Sequence, residues 1–174
     1  MLFIGTAHSD RYSVSQNVSN WCRNNGMIAF NYYYISSYFV YLYKVIFDKS
    51  FKNFKFKDLS FRSLSINDLI DLYSKSKIIL DINHTAQSGL TMRTIEALGS
   101  NKKIITTNSN IIKYHFYNPQ NVLVIERNQS IFPLDFFSTP FSRYQQSFYD
   151  YMSLEGWLNS IFNSDNEEKY QVLL

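Results

Sequence analysis

The chain has 174 residues, enough for one domain with a sizeable core, and its net charge of +3 is too small to indicate a nucleic-acid partner. A single cysteine, Cys22, excludes an internal disulfide and favours a reducing compartment. Aromatic residues make up 18% of the chain, with 14 tyrosines, so many tyrosines must lie at partly wet surfaces or interfaces.

The N-terminal part of the chain predicts a strand, a helix and a second strand. Residues 2–6 form the first strand, and this apolar start is too short for a signal peptide, so we expect a cytoplasmic protein. A helix follows to about residue 24, Asn25-Gly26 ends it, and residues 28–34 form the second strand. The residues that this helix should turn toward the core are Val14, Val18, Trp21 and Cys22.

The turn after the first strand carries four polar residues, His8, Ser9, Asp10 and Arg11. In open parallel sheets, ligands bind at the carboxyl ends of the strands, which is where this turn lies. From the pattern alone, a helix N-cap with a surface ion pair is the simpler interpretation.

The stretch from Tyr38 to Lys57 is both aromatic and basic. Lys44 interrupts its apolar run, so we expect no membrane span. Further lysines then alternate with phenylalanines, namely Lys49, Lys52, Lys55 and Lys57 with Phe47, Phe51, Phe54 and Phe56. Two interpretations stay open: peripheral contact with an anionic membrane, or a core helix followed by a solvated basic loop.

The middle of the chain predicts two helices and two strands. A start resembling a capping box, Ser65 to Asp68, opens a helix to about residue 74. Its inward residues should be Ile66, Leu69, Ile70 and Tyr73. A βαβ unit follows, with a buried strand over 78–82, a helix over 89–98 stopped by Gly99-Ser-Asn, and a strand over 104–107. Lys102 and Lys103 lie just past the helix end, where cations are favoured.

The start of the helix predicted over 89–98 is a candidate anion site, because its first N–H groups lack intrahelical partners. Gly89 would let a ligand approach the backbone. Arg93 and Glu96 continue one polar stripe, on which Arg93 could meet a phosphate and Glu96 could accept hydrogen bonds from sugar hydroxyls. A solvated ion pair between them is the alternative. His84, just beyond the preceding strand, could contact the ligand or act in catalysis.

The rest of the chain predicts a short helix over 111–116, a strand over 122–126, an irregular aromatic segment and an amphipathic helix over 153–162. We therefore predict an α/β domain over residues 1–163, a Rossmann-like parallel sheet of five or six strands with helices on both faces, and a frayed tail over 164–174. Neither a metal-ligand cluster nor a cofactor motif is evident, so we expect no metal and no cofactor.

The segment Ser88-Gly-Leu-Thr-Met-Arg-Thr-Ile-Glu96, continued by Lys102-Lys-Ile-Ile-Thr-Thr-Asn108, resembles the donor-binding segment of GT-B glycosyltransferases. It is most similar to the bacterial kind that builds lipopolysaccharide or capsular polysaccharide. The resemblance implies that Gly89 and Leu90 offer backbone N–H groups to the donor diphosphate and that Glu96 holds the ribose. Where the commoner family pattern has a second glutamate, this chain has Ser88. A similar Gly-Thr-x-His-Ser-x-Arg-Tyr turn in the family implies that His8 and Arg11 face the donor.

GT-B enzymes have two such domains, and the resemblance covers only the second, donor-binding one. It implies a nucleotide-sugar donor and a glycan or lipid-linked acceptor, at the inner face of the cytoplasmic membrane if the membrane interpretation holds. The N-terminal half would then belong to a separate chain, or this chain would be a fragment, and alone it should bind the donor weakly and transfer slowly or not at all. Two alternatives stay open: a nucleotide-binding module without catalysis, and a flavodoxin-like phosphoacceptor domain using Asp81.

Overall fold

A computed structural model describes residues 1–48, 51 and 53–162. Its six strands form one parallel sheet in the order β3-β2-β1-β4-β5-β6, which confirms the predicted Rossmann-like α/β fold. The strands are β1 Leu2–Thr6, β2 Phe30–Tyr34, β3 Leu59–Ser60, β4 Ile78–Asp81, β5 Lys103–Thr106 and β6 Val122–Val124. The tail predicted over 164–174 lies outside the described residues, as do Lys49 and Lys52 of the predicted basic segment.

Seven α-helices lie in the described part of the chain. They are α1 Arg11–Asn24, α2 Tyr38–Phe47, α3 Ile66–Ser74, α4 Met92–Gly99, α5 Leu134–Ser138, α6 Gln146–Met152 and α7 Leu154–Phe162. The short helix predicted over 111–116 is instead a 3-10 helix over Ser109–Lys113. Gly26, whose φ of 74° suits a glycine, follows α1 as predicted.

Alternating residues of the strands feed two separate cores, one on each face of the sheet, as a period of two requires. Phe3 and Leu80 pack on one face with α1, α2 and α5. Leu2 and Ile79 pack on the other with α3, α4 and α6. In α1, the buried side chains include Val14, Val18 and Cys22, which confirms the predicted inward stripe.

The orientation predicted for α3 is correct for Tyr73, which packs against the core, but wrong for Ile66 and Ile70. Its capping box does form, since Ser65 Oγ accepts from the Asp68 N–H and the Asp68 carboxylate accepts from the Ser65 N–H. However, Ile66 is 76% exposed and Ile70 is 62% exposed. The side chains of α3 that reach the core come from Leu72 and Tyr73, so the helix is rotated and its predicted inward face lines an open groove instead.

For α2, the structure contradicts the interpretation of a core helix, because none of its side chains is buried. It is therefore no core helix, although Val40 and Tyr41 rest partly against the core. Within the described residues, no helix is both long enough and apolar enough to span a bilayer.

Candidate functional site

The strand order reverses between β1 and β4, which pair directly through Leu2 with Ile79 and Phe3 with Leu80. On either side of this switch the crossover connections run in opposite directions, so a crevice opens beyond the carboxyl ends of the two strands. The loops that follow β1, β4 and β6 meet there. This crevice, called the switch crevice below, holds half of the site residues that the sequence singled out.

His8 and His84 face each other across the switch crevice, with ring centroids 6.2 Å apart. Ser9, whose hydroxyl lies 3.0 Å from His8 Nδ1, has a φ of 51°, a left-handed conformation that is uncommon outside glycine and recurs at functional sites. Burial lowers the pKa of His8, and the nearby Arg11 and Lys44 lower it further. His8 is therefore a neutral imidazole at neutral pH, able to accept a proton.

Arg127 ties the three loops together. Its Nη1 donates to both carboxylate oxygens of Asp10 at 2.7 Å, and its Nη2 donates to the Asn83 carbonyl at 2.6 Å. Asp10 does occupy the N-cap position of α1, but its side chain makes no capping hydrogen bond and pairs with Arg127. The sequence prediction missed Arg127, although it stands directly after a predicted strand, the same signal that singled out residues 8–11.

Arg11 and Arg93 bring further positive charge to the switch crevice. Arg11 is half-buried, and its Nε has no hydrogen-bond partner among the described residues. Burial lowers the pKa of Arg11, and the nearby Arg93 adds to the effect, whereas Asp81 opposes it. The Arg11 guanidinium is thus held in a desolvated place beside a like charge, an arrangement that an incoming anion would stabilise.

The Asp81 carboxylate forms hydrogen bonds with residues at the start of α4. Its Oδ2 accepts from the Thr91 hydroxyl at 2.5 Å and from the Thr94 hydroxyl at 3.1 Å, while Thr91 Oγ1 caps the helix by accepting from the Thr94 N–H. The helix therefore begins at Met92, and the predicted start at Gly89 is wrong, because Thr91 is the better N-cap.

Ser88, Gly89 and Leu90 consequently lie in the loop before α4. The carbonyls of Ser88 and Gly89 accept from the side chains of Asn110, at 3.1 Å, and Asn108, at 2.9 Å. Ser88 and Gly89 line a cavity of about 430 Å³, together with Asn110, Lys113 and Tyr114. Leu90 packs against the core formed with α4.

Glu96 lies on a second opening, an apolar groove of about 570 Å³ between α3 and α4. Within the described residues no ion pair joins Glu96 to Arg93, so the alternative of a simple surface pair is wrong. Instead both residues act on Tyr73. Burial raises the pKa of Tyr73 to about 12, with Arg93 opposing the rise and Glu96 adding to it. The polar stripe thus connects the switch crevice, at Arg93, with the groove, at Glu96.

The structure therefore gathers four of the predicted residues, His8, Arg11, His84 and Arg93, at the switch crevice. Ser88, Gly89 and Leu90 belong to the loop beside it, and Glu96 to the groove. Among the described residues, no cluster of three or more His, Cys, Asp or Glu side chains could hold a metal ion.

Comparison of the chain with protein-family models, curated proteins and solved structures gives no match. A functional assignment therefore rests on the fold and on the chemistry of the crevice and the groove.

Proposed function

We propose that this chain binds the nucleotide-sugar donor of a glycosyltransferase of the GT-B type, acting in the cytoplasm on a bacterial surface polysaccharide. The observation that carries the proposal is the convergence of Arg11 and Arg93 at the switch point of a Rossmann-like sheet, with a guanidinium donor left unpaired. Planar guanidinium groups match the oxygens of a diphosphate, and the switch point is where such sheets bind nucleotides.

The nearby carboxylates, Asp10 and Asp81, already have hydrogen-bonding partners, which supports the binding of an anionic ligand by the arginines. Asp10 is neutralised by Arg127, and Asp81 accepts from two threonine hydroxyls. Within the described residues neither Arg11 nor Arg93 forms an ion pair, so both guanidinium groups can pair with a ligand, although the nearby Asp81 attracts Arg11. The diphosphate would lie between these arginines and the loop of Ser88, Gly89 and Leu90.

The groove beside Glu96 supports a nucleoside attached to that diphosphate. Its apolar wall from α3 suits a planar base, and the exposed carboxylate of Glu96 can accept hydrogen bonds from ribose hydroxyls. This arrangement agrees with the role that the GT-B resemblance implies for Glu96.

For transfer, His8 and His84 are the candidate catalytic groups, since their rings face the crevice where the sugar would leave the diphosphate. A neutral His8 could accept a proton from an acceptor hydroxyl. The acceptor, a glycan or a lipid-linked glycan, would be held by an N-terminal half on another chain, so this chain alone should transfer slowly or not at all.

Two other functions are weaker. A nucleotide-binding module without catalysis would use the same arginines, and transfer activity in a complex with a separate acceptor-domain chain is the measurement that separates it from the proposal. A phosphoacceptor domain would need Asp81 to be accessible, but that residue is 2% exposed and already accepts two hydroxyl hydrogen bonds. We expect no labelling of Asp81 by acetyl phosphate.

Calorimetry with pyrophosphate, nucleoside diphosphates and nucleotide sugars tests the proposal. Arg11→Ala and Arg93→Ala should weaken the binding of all three by about tenfold or more, because each removes a charge-assisted contact to phosphate. Glu96→Ala should weaken only the ligands that carry a ribose. Arg143→Ala, which removes an exposed arginine beside Tyr149, is the matched control. Absence of nucleotide binding, or equal binding by Arg11→Ala, would overturn the proposal.

A further inference from the structure

The α2 helix turns most of its apolar side chains toward solvent and its lysine toward the protein, the reverse of what a globular protein usually shows. Its inward residues, Val40, Tyr41 and Lys44, include its only charged side chain, and Lys44 Nζ donates to the carbonyl of Ala7 at 2.9 Å. Lys44 thereby ties the helix to the residue that follows β1. The α2 helix thus lies beside the switch crevice, with its basic group facing the protein.

The outward side of α2 is an unbroken apolar stripe. Phe39 is 81% exposed, Tyr43 64%, Ile46 69% and Phe47 68%. Spacings of four, seven and eight residues from Phe39 place all four on one helix face. An exposed stripe of this kind on a monomer marks an interaction surface.

Beside the stripe, Tyr38 at the start of α2 meets two aromatic side chains from the segment that follows the helix. The rings of Tyr38, Phe56 and Phe61 contact one another, with centroid distances of 6.0 to 6.4 Å, and all three are exposed. The outward stripe of α2 and these three rings together are called the α2 surface below.

The exposed charges around the α2 surface are mostly basic, although Arg62 pairs with Asp68 at 3.0 Å and the half-buried Asp48 ends α2. Between residues 38 and 64, the exposed charged side chains in the described part are Lys55, Lys57 and Arg62. Asp58 is half-buried and accepts from the Tyr12 hydroxyl at 2.6 Å. The surface is therefore apolar and aromatic with a basic border, which complements an anionic partner.

We propose that the α2 surface binds an anionic lipid bilayer, with α2 lying in the interface plane. Aromatic rings that are apolar at one end and wet at the other suit that depth, and the lysines would contact lipid headgroups. A second copy of the chain fits less well, because a symmetric contact would bring the lysines of both copies into one interface without acidic partners on this surface.

Membrane binding would have a direct consequence for the switch crevice. Because Lys44 links α2 to the loop after β1, the crevice would stand next to the headgroups, within reach of a lipid-linked molecule. The inference itself does not depend on nucleotide binding and can fail or succeed separately.

Vesicle flotation of the full chain tests the proposal. We expect binding to phosphatidylcholine vesicles that contain about one third phosphatidylglycerol, little binding to phosphatidylcholine alone, and a loss of binding in roughly 0.5 M salt. The double variant Phe39→Ser with Ile46→Ser should lower the partition coefficient at least about tenfold, because it removes exposed apolar contacts. Lys55→Ala with Lys57→Ala should lower it about thirtyfold at low salt, from about 1 kcal/mol per lysine.

The matched control is Ile131→Ser with Leu134→Ser, which removes two exposed apolar side chains from the segment after β6, the strand at the sheet edge opposite β3. It should bind anionic vesicles like the native chain. The proposal is overturned if the native chain ignores anionic vesicles, or if both α2-surface variants bind them normally. Sedimentation that shows a concentration-dependent dimer, abolished by the Phe39 and Ile46 substitutions, would assign the surface to a second copy instead.

Discussion

Two cationic side chains, Lys103 and Arg11, lie at opposite ends of the sheet, and they differ in whether the protein satisfies their hydrogen-bond donors. Lys103, at the amino end of β5, is buried, and its Nζ donates to the Phe136 carbonyl, the Thr139 carbonyl and the Thr139 hydroxyl at 2.5 to 3.0 Å. Arg11, at the carboxyl edge, has a buried Nε without a partner in the described residues, and Arg93 lies nearby.

The difference separates a structural cation from one that is ready for a ligand. Lys103 supplies donors to the last turn of α5, where backbone carbonyls lack intrahelical partners and the dipole favours positive charge. The three donors of the Lys103 ammonium group thus have acceptors inside the protein. Arg11 Nε is buried without a hydrogen-bond acceptor in the described residues, so a bound anion could supply that acceptor.

Lys103→Met should cause the largest loss of stability. The substitution leaves the buried carbonyl of Phe136 without its donor and removes the two bonds to the more exposed Thr139, although the methionine fills the same space. We expect the free energy of unfolding to fall by about 2–3 kcal/mol. Urea unfolding followed by circular dichroism measures it, with Lys102→Met, a more exposed neighbour, as the control. A loss below about 0.5 kcal/mol would mean that Lys103 is not the structural cation described.

Arg127→Ala should have the next largest effect, because Arg127 is a cation of the switch crevice whose donors are satisfied. Its removal frees the Asp10 carboxylate and the Asn83 carbonyl, and we expect unfolding to become easier by about 1–2 kcal/mol. Arg62→Ala removes another Arg–Asp pair, but a more exposed one, and should cost less than about 0.5 kcal/mol. Equal effects of the two substitutions in thermal unfolding would show that Arg127 does not tie the loops together.

Arg11→Met should change stability little or even raise it, which is the sharpest contrast with Lys103. Methionine keeps the apolar part of the side chain and removes a charge that lies near Arg93. We expect a change within about 0.5 kcal/mol, or a gain of up to about 1 kcal/mol. The stabilisation of the native chain by saturating pyrophosphate should be smaller in the variant by about 1.4 kcal/mol or more, which corresponds to a tenfold loss of affinity. A loss as large as that of Lys103→Met would make Arg11 a structural residue.

The sheet could be predicted from the sequence because its signals are local. Apolar, β-branched runs at the spacing of βαβ units mark β1, β4 and β5, and each run is short and bounded by turn residues. The orientation of α3 could not be predicted in the same way. Its apolar stripe is real, but whether Ile66 and Ile70 face the core depends on where α4 and the sheet stand, which no local pattern encodes.

The site was only partly predictable, for a related reason. The carboxyl-end rule located His8, Arg11 and His84, because it needs only the order of strands and loops. The pairing of Arg127 with Asp10 joins residues 117 positions apart, so it follows from the strand order β1-β4-β5-β6 and not from neighbouring residues. The start of α4 was misplaced because Gly89 was preferred over Thr91, a stronger N-cap that Asp81 holds in place.

His8→Gln should have the smallest effect, one confined to acidic pH. The pKa of His8 in the folded chain lies below the ordinary value of 6.5, so the unfolded chain takes up the proton first. Folding stability is therefore full above the unfolded pKa and declines as the pH falls through the folded pKa. Glutamine cannot charge, so the variant should lose less stability than the native chain between about pH 8 and about pH 5.5 in urea unfolding. Parallel curves for the two chains would mean that His8 is not desolvated beside Arg11, and the contrast with the satisfied Lys103 would then rest on Arg11 alone.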